Sequence, residues 1–132
     1  MSDLFVYGTL RFPDVLSALL GRVPVMSPGR VEGWRVAALA GRVYPGLVRA
    51  EGAAAEGVVL SGLSEDELVV LHAYEDVEYD IAVLDLTDGR PALAYLWKGE
   101  ALAADWDVAG FATTELAAYV PGCAEWRSTF RG

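Results

Sequence analysis

The chain has 132 residues, of which 54% are hydrophobic and 22% charged, a composition typical of a globular rather than a disordered protein. A chain of this length buries one hydrophobic core and is too short for two, so we expect a single domain over residues 1–132. Ten basic against nineteen acidic residues give a net charge of −9, which repels phosphate backbones and anionic lipid and argues against nucleic-acid or membrane-surface binding.

Cysteine and histidine each occur once. Cys123 therefore has no partner for an internal disulfide, and neither Cys123 nor His72 has neighbours at metal-ligand spacing. The apolar run near the start is far too short for a signal peptide, and no apolar run approaches the roughly 20 residues that span a bilayer. We therefore expect a cytoplasmic protein without a structural metal.

The first two dozen residues predict a buried strand that runs into a tight turn and a helix. Leu4-Phe5-Val6-Tyr7 is an apolar run typical of a short buried strand, Gly8 breaks it, and a helix is expected from Pro13 to Leu20 with Gly21 as its stop. The backbone N–H groups of such a turn, close to the positive end of a helix dipole, can hold an anion or a polarised carbonyl oxygen. On this stretch alone, ordinary turn chemistry is the commoner explanation of Gly8.

The middle of the chain predicts further strands and one capped helix. Strands are expected at residues 31–39, as one strand or a strand pair, and at about 55–60, with a turn at Tyr44-Pro45-Gly46 between them. Ser64 and Glu67 then form a capping box, in which each side chain accepts a hydrogen bond from the backbone N–H of the other residue. A short helix follows this box.

The rest of the chain predicts a hairpin and a last helix. Residues 81–86 and 92–97 are expected as hairpin partners, and residues 108–119 as a helix that Asp107 caps and Pro121-Gly122 ends. Five or six strands with about three helices, joined by connections too short for successive βαβ crossovers, favour an α+β fold over a doubly wound sheet.

An acidic turn follows the capped helix, which is expected to end near Ala73. Glu75 lies just past that end, where the helix dipole is negative, and Asp76, Glu78 and Asp80 add like charges, so we expect a raised pKa for Glu75. A carboxyl with a pKa near neutrality suits general acid–base catalysis. Composition alone favours the alternative, a solvated acidic loop.

The other candidate residues have simpler explanations. We expect His72 to be an exposed helix residue and Cys123 to be a buried or idle thiol. No pattern in the sequence indicates a Ser-His-Asp triad for Ser61, Ser64 or Thr9. The glycines match neither a P-loop nor a dinucleotide-binding fingerprint.

Several segments carry a resemblance that runs in order along nearly the whole chain. The opening Phe5-Val6-Tyr7-Gly8-Thr9-Leu10 is similar to the N-terminal signature of the γ-glutamylcyclotransferase-like superfamily. The further segments that resemble it are residues 41–48 around Tyr44-Pro45, residues 57–63, residues 71–75 with Tyr79 beyond them, and, for the AIG2-like branch, residues 94–97 and 105–107. His72 stands where the family usually has Asp, and Asp76 where Gly is common.

The resemblance implies a small mixed β-barrel flanked by helices, with two segments on one cavity. The loop Tyr7-Gly8-Thr9-Leu10 would bind a glutamyl group through its backbone, and Glu75 would accept and donate the proton. Tyr79 would line the pocket or hydrogen-bond near Glu75. Family members of known activity cyclise γ-glutamyl amides or peptides to 5-oxoproline and release an amine or amino acid. This intramolecular attack requires no metal, nucleotide or redox cofactor.

Two other functions remain open at this point. The protein would otherwise be a barrel that binds a small amide, amino acid or modified peptide without turnover, or a related amide hydrolase or acyl transferase with another substrate. The expected ligand is a γ-glutamyl small molecule, with neither nucleic acid nor membrane as partner. The oligomeric state is left open, with a monomer favoured.

Overall fold

The computed structural model describes residues 3–75 and 78–130. Within these residues, five strands form one mixed sheet: β1 (Leu4–Val6), β2 (Val25–Ala37), β3 (Gly46–Ser61), β4 (Tyr79–Asp85) and β5 (Pro91–Trp97). The helices are α1 (Pro13–Leu20), α2 (Glu65–Glu75), α3 (Val108–Gly110) and α4 (Leu116–Thr129), with a short 3-10 turn at Thr9–Arg11 and a π turn at Phe111–Glu115.

The short strand β1 lies in the middle of the sheet, whose order is β2-β3-β1-β5-β4. It pairs antiparallel with β3 and parallel with β5, and β3 also contacts β5 directly where Leu47 faces Leu96. The predicted α+β class is confirmed. Within the described residues β2 and β4 lie at the two edges and the sheet is not closed, so the expected barrel is not confirmed.

Alternation along β1 directs its side chains into two apolar clusters. Leu4 and Val6 pack with residues of α1, α2 and α4, whereas Phe5 and the following Tyr7 pack with strand residues such as Val59. Successive side chains of a strand point to opposite faces, and each face of β1 meets one of the two clusters. Both faces are therefore covered. The end of this fully buried strand is where the chain turns at Gly8.

The local signals for α1 and α2 are confirmed. Gly21 ends α1 in the left-handed conformation, with φ of 75°. The Ser64 hydroxyl accepts from the Glu67 N–H at 3.1 Å, and the Glu67 carboxylate accepts from the Ser64 N–H at 2.9 Å. Helix α2 continues beyond the expected end near Ala73, so that Glu75 is its last residue rather than a residue of the following turn.

The strands β2 and β3 are much longer than expected. They form one antiparallel hairpin whose register runs from Val25 opposite Ser61 to Ala37 opposite Gly46, with a bulge between Glu32 and Trp34. The polar and alanine-rich residues at 50–55 carry little strand propensity of their own, and the backbone ladder with β2 holds them extended. The predicted hairpin of β4 and β5 is confirmed, with Tyr79 opposite Trp97.

The expected end of the last helix at Pro121-Gly122 is wrong, because α4 continues through both residues. Proline inside a helix costs about 3 kcal/mol, since it lacks an N–H and crowds the preceding turn. Packing beyond it offsets that cost. Cys123 is 1% exposed, the Trp126 ring lies 5.1 Å from the Tyr74 ring, and Arg127 donates to the Leu19 carbonyl at 3.0 Å.

Candidate active site

A cavity of about 200 Å³ opens where β1 ends. Its wall is formed by the Gly8 turn, the loop before β3, the end of α2, the start of β4, and one residue each from β5 and α4. All six tyrosines of the chain line it: Tyr7, Tyr44, Tyr74, Tyr79, Tyr95 and Tyr119. Glu75 and Glu78 supply its carboxyl groups.

The loop that was predicted to bind substrate forms one wall of this cavity, through Tyr7, Gly8, Thr9 and Leu10. Gly8 precedes the 3-10 turn, whose first hydrogen bond runs from the Arg11 N–H to the Gly8 carbonyl at 3.1 Å. The amides of residues 8–10 come before that bond, and such leading N–H groups have no partner within their own turn. Among the described loop and turn hydrogen bonds these amides donate none, so they are available to an acceptor.

Gly8 is required by a close approach rather than by its backbone angles. A Cβ at this position would lie 2.8 Å from Cγ of Pro45. The φ of Gly8 is −115°, so the left-handed region is not involved. The Gly8 turn and the Tyr44-Pro45 segment therefore fit against each other only while position 8 has no side chain.

Glu75 lies on the same cavity, at the end of α2. Part of its side chain is accessible, yet burial raises the pKa of its carboxyl from the ordinary 4.5 to about 8, and the charge of Glu78 adds to the rise. The predicted direction of the shift agrees, but burial rather than the helix end or like charge is its main cause. Protonated and ionised forms of Glu75 are thus both accessible near neutral pH.

The remaining carboxylates of the predicted acidic turn have separate surroundings. Glu78 accepts from Arg42 at 2.8 Å and from the Tyr44 hydroxyl at 2.9 Å. Asp80 is exposed and lies 3.7 Å from Lys98. Asp76 lies outside the described residues. The interpretation as a merely solvated loop therefore does not describe Glu75 or Glu78.

Tyr79, the other predicted pocket residue, lies on this cavity. Its hydroxyl donates to the Pro45 carbonyl at 2.8 Å, and its ring packs edge-on against Trp97 at 5.3 Å. The Pro45 segment is thus fixed by Tyr79 on one side and by the fit to Gly8 on the other. No hydrogen bond joins Tyr79 to Glu75 among the described contacts.

The expectation that His72 is an exposed residue is wrong. It is partly buried, its Nδ1 lies 2.7 Å from the Tyr95 hydroxyl, and the two rings meet edge-on at 5.6 Å. Burial lowers the pKa of His72, so the ring is neutral at physiological pH and Nδ1 can accept the tyrosine proton. Tyr95 in turn accepts, at its backbone carbonyl, the hydroxyl proton of Tyr7 at 2.6 Å.

A second hydroxyl network includes two further residues of the cavity lining, Tyr74 and Tyr119. The Tyr74 hydroxyl donates to the Tyr119 hydroxyl at 2.6 Å and lies 3.2 Å from the Cys123 sulfur. Cys123 is buried, as predicted, and burial raises the pKa of its thiol. Sequence reasoning missed Tyr95 and Tyr119 as cavity residues. Their only indication in the sequence was an aromatic residue within a predicted strand, for Tyr95, and within a predicted helix, for Tyr119.

Over the described ranges, the helices are too short or too polar to cross a membrane. In the same ranges, no three His, Cys, Asp or Glu side chains come together as a metal site would require.

The sheet and the cavity define a small α+β protein in which the Glu75 carboxyl group and the Gly8 turn share a pocket. Residues 4–110 match the family described as "Gamma-glutamyl cyclotransferase, AIG2-like", and the chain belongs to this family. The resemblance found in the sequence is thereby confirmed.

Individual relatives agree with this assignment. The chain is 40% identical to AIG2-like protein C of Arabidopsis thaliana over 113 residues, which are 80% of this chain and 66% of that protein. It is 35% identical to AIG2-like protein D of the same plant over 103 residues, which are 74% of this chain and 68% of the relative. The chain therefore spans about two thirds of the length of these relatives.

Solved structures show the same fold. The solution structure of an Arabidopsis thaliana protein is similar with a TM-score of 0.71 and 27% identity, covering 92% of this chain and 87% of the other. A structure named γ-glutamyl cyclotransferase is similar with a TM-score of 0.63 over 76% of this chain and 69% of that one. At 14% identity, this second likeness shows the fold alone.

Proposed function

We propose that the protein is a γ-glutamyl cyclotransferase that converts a γ-glutamyl amide or peptide to 5-oxoproline and releases the amine. One observation carries the proposal. In a chain of this family, a carboxyl group with a pKa of about 8 lines the same small cavity as the amides of the Gly8 turn.

Glu75 is the general base and then the general acid. The α-ammonium of the substrate must lose a proton before its nitrogen attacks the γ-carbonyl carbon. As the lactam carbon–nitrogen bond forms, the amide carbon–nitrogen bond breaks, and the proton taken by Glu75 passes to the leaving nitrogen. A carboxyl with a pKa near the working pH performs both transfers well, and a bound ammonium favours its ionised form.

The Gly8 turn supplies backbone N–H donors. The amides of Gly8, Thr9 and Leu10 would receive the glutamyl oxygens, including the oxygen that becomes negative during attack. Each such donor is worth about 3–4 kcal/mol in a preorganised site. Holding the glutamyl chain folded for ring closure supplies roughly 7–11 kcal/mol in favourable intramolecular systems.

The volume of the cavity favours a compact reacting group. About 200 Å³ lies below the roughly 300–1,000 Å³ of pockets that enclose drug-sized ligands. One glutamyl group or its lactam suits this space, with the leaving amine directed toward the opening. The identity of that amine is the property that a substrate panel has to determine.

The test is the release of 5-oxoproline from a panel of γ-glutamyl amides and γ-glutamyl amino acids. We expect Glu75→Gln to keep the shape of the site and to lower kcat by about 10²–10⁴-fold, because the titratable proton is gone. Glu65→Gln is the matched control, since Glu65 is an exposed carboxylate on the same helix.

Unchanged turnover in Glu75→Gln would refute the mechanism. Thermal stabilisation by these compounds without product would identify a binding protein instead. An open-chain acid or a transferred acyl group in the mass spectrum would identify a hydrolase or an acyl transferase.

A further inference from the structure

Tyrosine hydroxyls surround the cavity, and each carries a single proton to donate. Five of the six hydroxyls have an acceptor within the protein, that of Tyr95 when His72 Nδ1 carries no proton. Their acceptors are the Tyr95 carbonyl for Tyr7, Glu78 for Tyr44, the Tyr119 oxygen for Tyr74, the Pro45 carbonyl for Tyr79, and His72 Nδ1 for Tyr95.

Tyr119 differs from the others because it accepts a hydrogen bond and, among the described residues, donates none within the geometry of a hydrogen bond. The Tyr74 proton is used on Tyr119, so the contact of 3.2 Å between Tyr74 and Cys123 is made with the thiol proton. The order of donation is therefore Cys123 to Tyr74 to Tyr119. The proton of Tyr119 remains for an acceptor in the cavity.

The position of Tyr119 places this proton among the residues of the proposed reaction. Tyr119 and Thr9 of the Gly8 turn line the same cavity, and the Thr9 hydroxyl acts on Tyr119 as a donor, which favours the ionised phenol. Burial raises the pKa of Tyr119, the charge of Glu75 acts in the same direction, and the phenol thus keeps its proton at neutral pH. Tyr119 belongs to α4, whereas the family match covers residues 4–110.

We propose that Tyr119 is the side-chain hydrogen-bond donor that the cavity offers to its ligand, and that it contacts an acceptor oxygen of the glutamyl group. This assignment rests on the proposed function for the nature of the ligand. It adds to the backbone donors of the Gly8 turn a side-chain donor from a helix that the family match does not reach. The closed ring of 5-oxoproline carries such oxygens and is the probe of choice.

The experiment measures the dissociation constant of 5-oxoproline by isothermal titration calorimetry, and separately the turnover of a γ-glutamyl amide. Tyr119→Phe removes only the hydroxyl, and we expect the dissociation constant to rise about tenfold or more, the loss typical of one hydrogen bond to a charged or polarised acceptor. Ser128→Ala is the control, because the Ser128 hydroxyl donates to the backbone carbonyl of Glu125 in the same helix at 2.7 Å. It should leave the constant unchanged.

Tyr74→Phe is the second variant. It keeps the Tyr119 hydroxyl but removes the neighbour that orients it, so a smaller rise in the dissociation constant is expected. A purely structural role of Tyr119 would lower the thermal midpoint and leave the affinity of the folded protein as in the wild type.

The outcomes separate the two proposals. Equal affinity of wild type and Tyr119→Phe for 5-oxoproline overturns the assignment of Tyr119, whether or not the wild type turns over amides. Weaker binding in Tyr119→Phe, together with a wild type that releases no 5-oxoproline from any substrate, upholds Tyr119 and refutes the cyclotransferase. A wild type that does not bind 5-oxoproline overturns Tyr119 as its donor.

Discussion

The free energy of unfolding is expected to depend less steeply on pH in Glu75→Gln than in the wild type. The folded-state pKa of Glu75 is about 8, against an ordinary value of 4.5, so the folded protein binds this proton more tightly than the unfolded chain does. The contribution of Glu75 to stability is fully present below pH 4.5 and is lost as the pH rises through 8. Glutamine carries no such proton.

The size of the effect follows from the two pKa values. Between pH 4.5 and 8, the wild type loses stability relative to Glu75→Gln by about 1.4 kcal/mol per pH unit. The full shift corresponds to an upper bound of about 5 kcal/mol. Part of the Glu75 side chain is accessible, so solvent screening reduces the expected difference to about 2–4 kcal/mol.

Urea unfolding of wild type, Glu75→Gln and Glu65→Gln at half-unit steps from pH 4 to pH 9 measures this difference without any substrate. The Glu75→Gln variant should match the wild type near pH 4 and exceed it increasingly toward pH 8. Glu65→Gln should follow the wild type throughout. Parallel curves for wild type and Glu75→Gln would mean that this carboxyl has an ordinary pKa, and the argument for its role as general base near neutrality would fail.

Three further substitutions test the packing around the cavity and the helices. Gly8→Ala should lower the free energy of unfolding by about 1–3 kcal/mol and weaken 5-oxoproline binding, because the new methyl group meets the ring of Pro45. Glu67→Gln should lower it by about 0.2–1 kcal/mol at pH 7, through loss of the Arg22 ion pair, since glutamine can still accept from the Ser64 N–H. That loss should vanish as the pH falls from 4.5 toward 2, since the pKa of Glu67 is lowered to about 2. Pro121→Ala should raise it by about 1–3 kcal/mol, measured by the same urea unfolding.

Gly122→Ala is the control for Gly8→Ala. Gly122 lies inside α4 with open space where its Cβ would be, so alanine there should stabilise by about 0.5–1 kcal/mol. A Gly8→Ala variant as stable as the wild type would show that Pro45 yields without cost. A Glu67→Gln deficit as large at pH 2 as at pH 7 would contradict the ion pair. An unchanged Pro121→Ala would contradict the cost of proline in this helix.

The elements that the sequence predicted well are those with local causes. The capping box of Ser64 and Glu67, the glycine stop at Gly21 and the hairpin of β4 and β5 are each set by neighbouring residues. The continuation of α4 through Pro121 could not be predicted, because it depends on distant packing such as the contact of Arg127 with α1. The length of β3 likewise depends on its partner strand.

The candidate site likewise contains residues that the sequence predicted and residues that depend on distant contacts. The Gly8 loop and Glu75 were predicted from short motifs and from resemblance, and both lie on one cavity. His72 was misjudged because its partner, Tyr95, lies 23 residues away in another element. Helical periodicity says which face a residue occupies but not which distant side chain it meets.

The tyrosine hydroxyls that donate to other acceptors also explain why Glu75 can keep its proton. A hydrogen bond donated to a carboxylate stabilises the ionised form and lowers its pKa. Tyr7, Tyr79 and Tyr95 are close enough for the charge of Glu75 to raise their own pKa values, yet their protons go to backbone carbonyls and to His72. The carboxyl is thus surrounded by three phenol rings, those of Tyr7, Tyr79 and Tyr95, that donate to other acceptors. Burial then acts on Glu75 without compensation from these three hydroxyls, and its pKa rises into the range in which one group can both accept and return a proton.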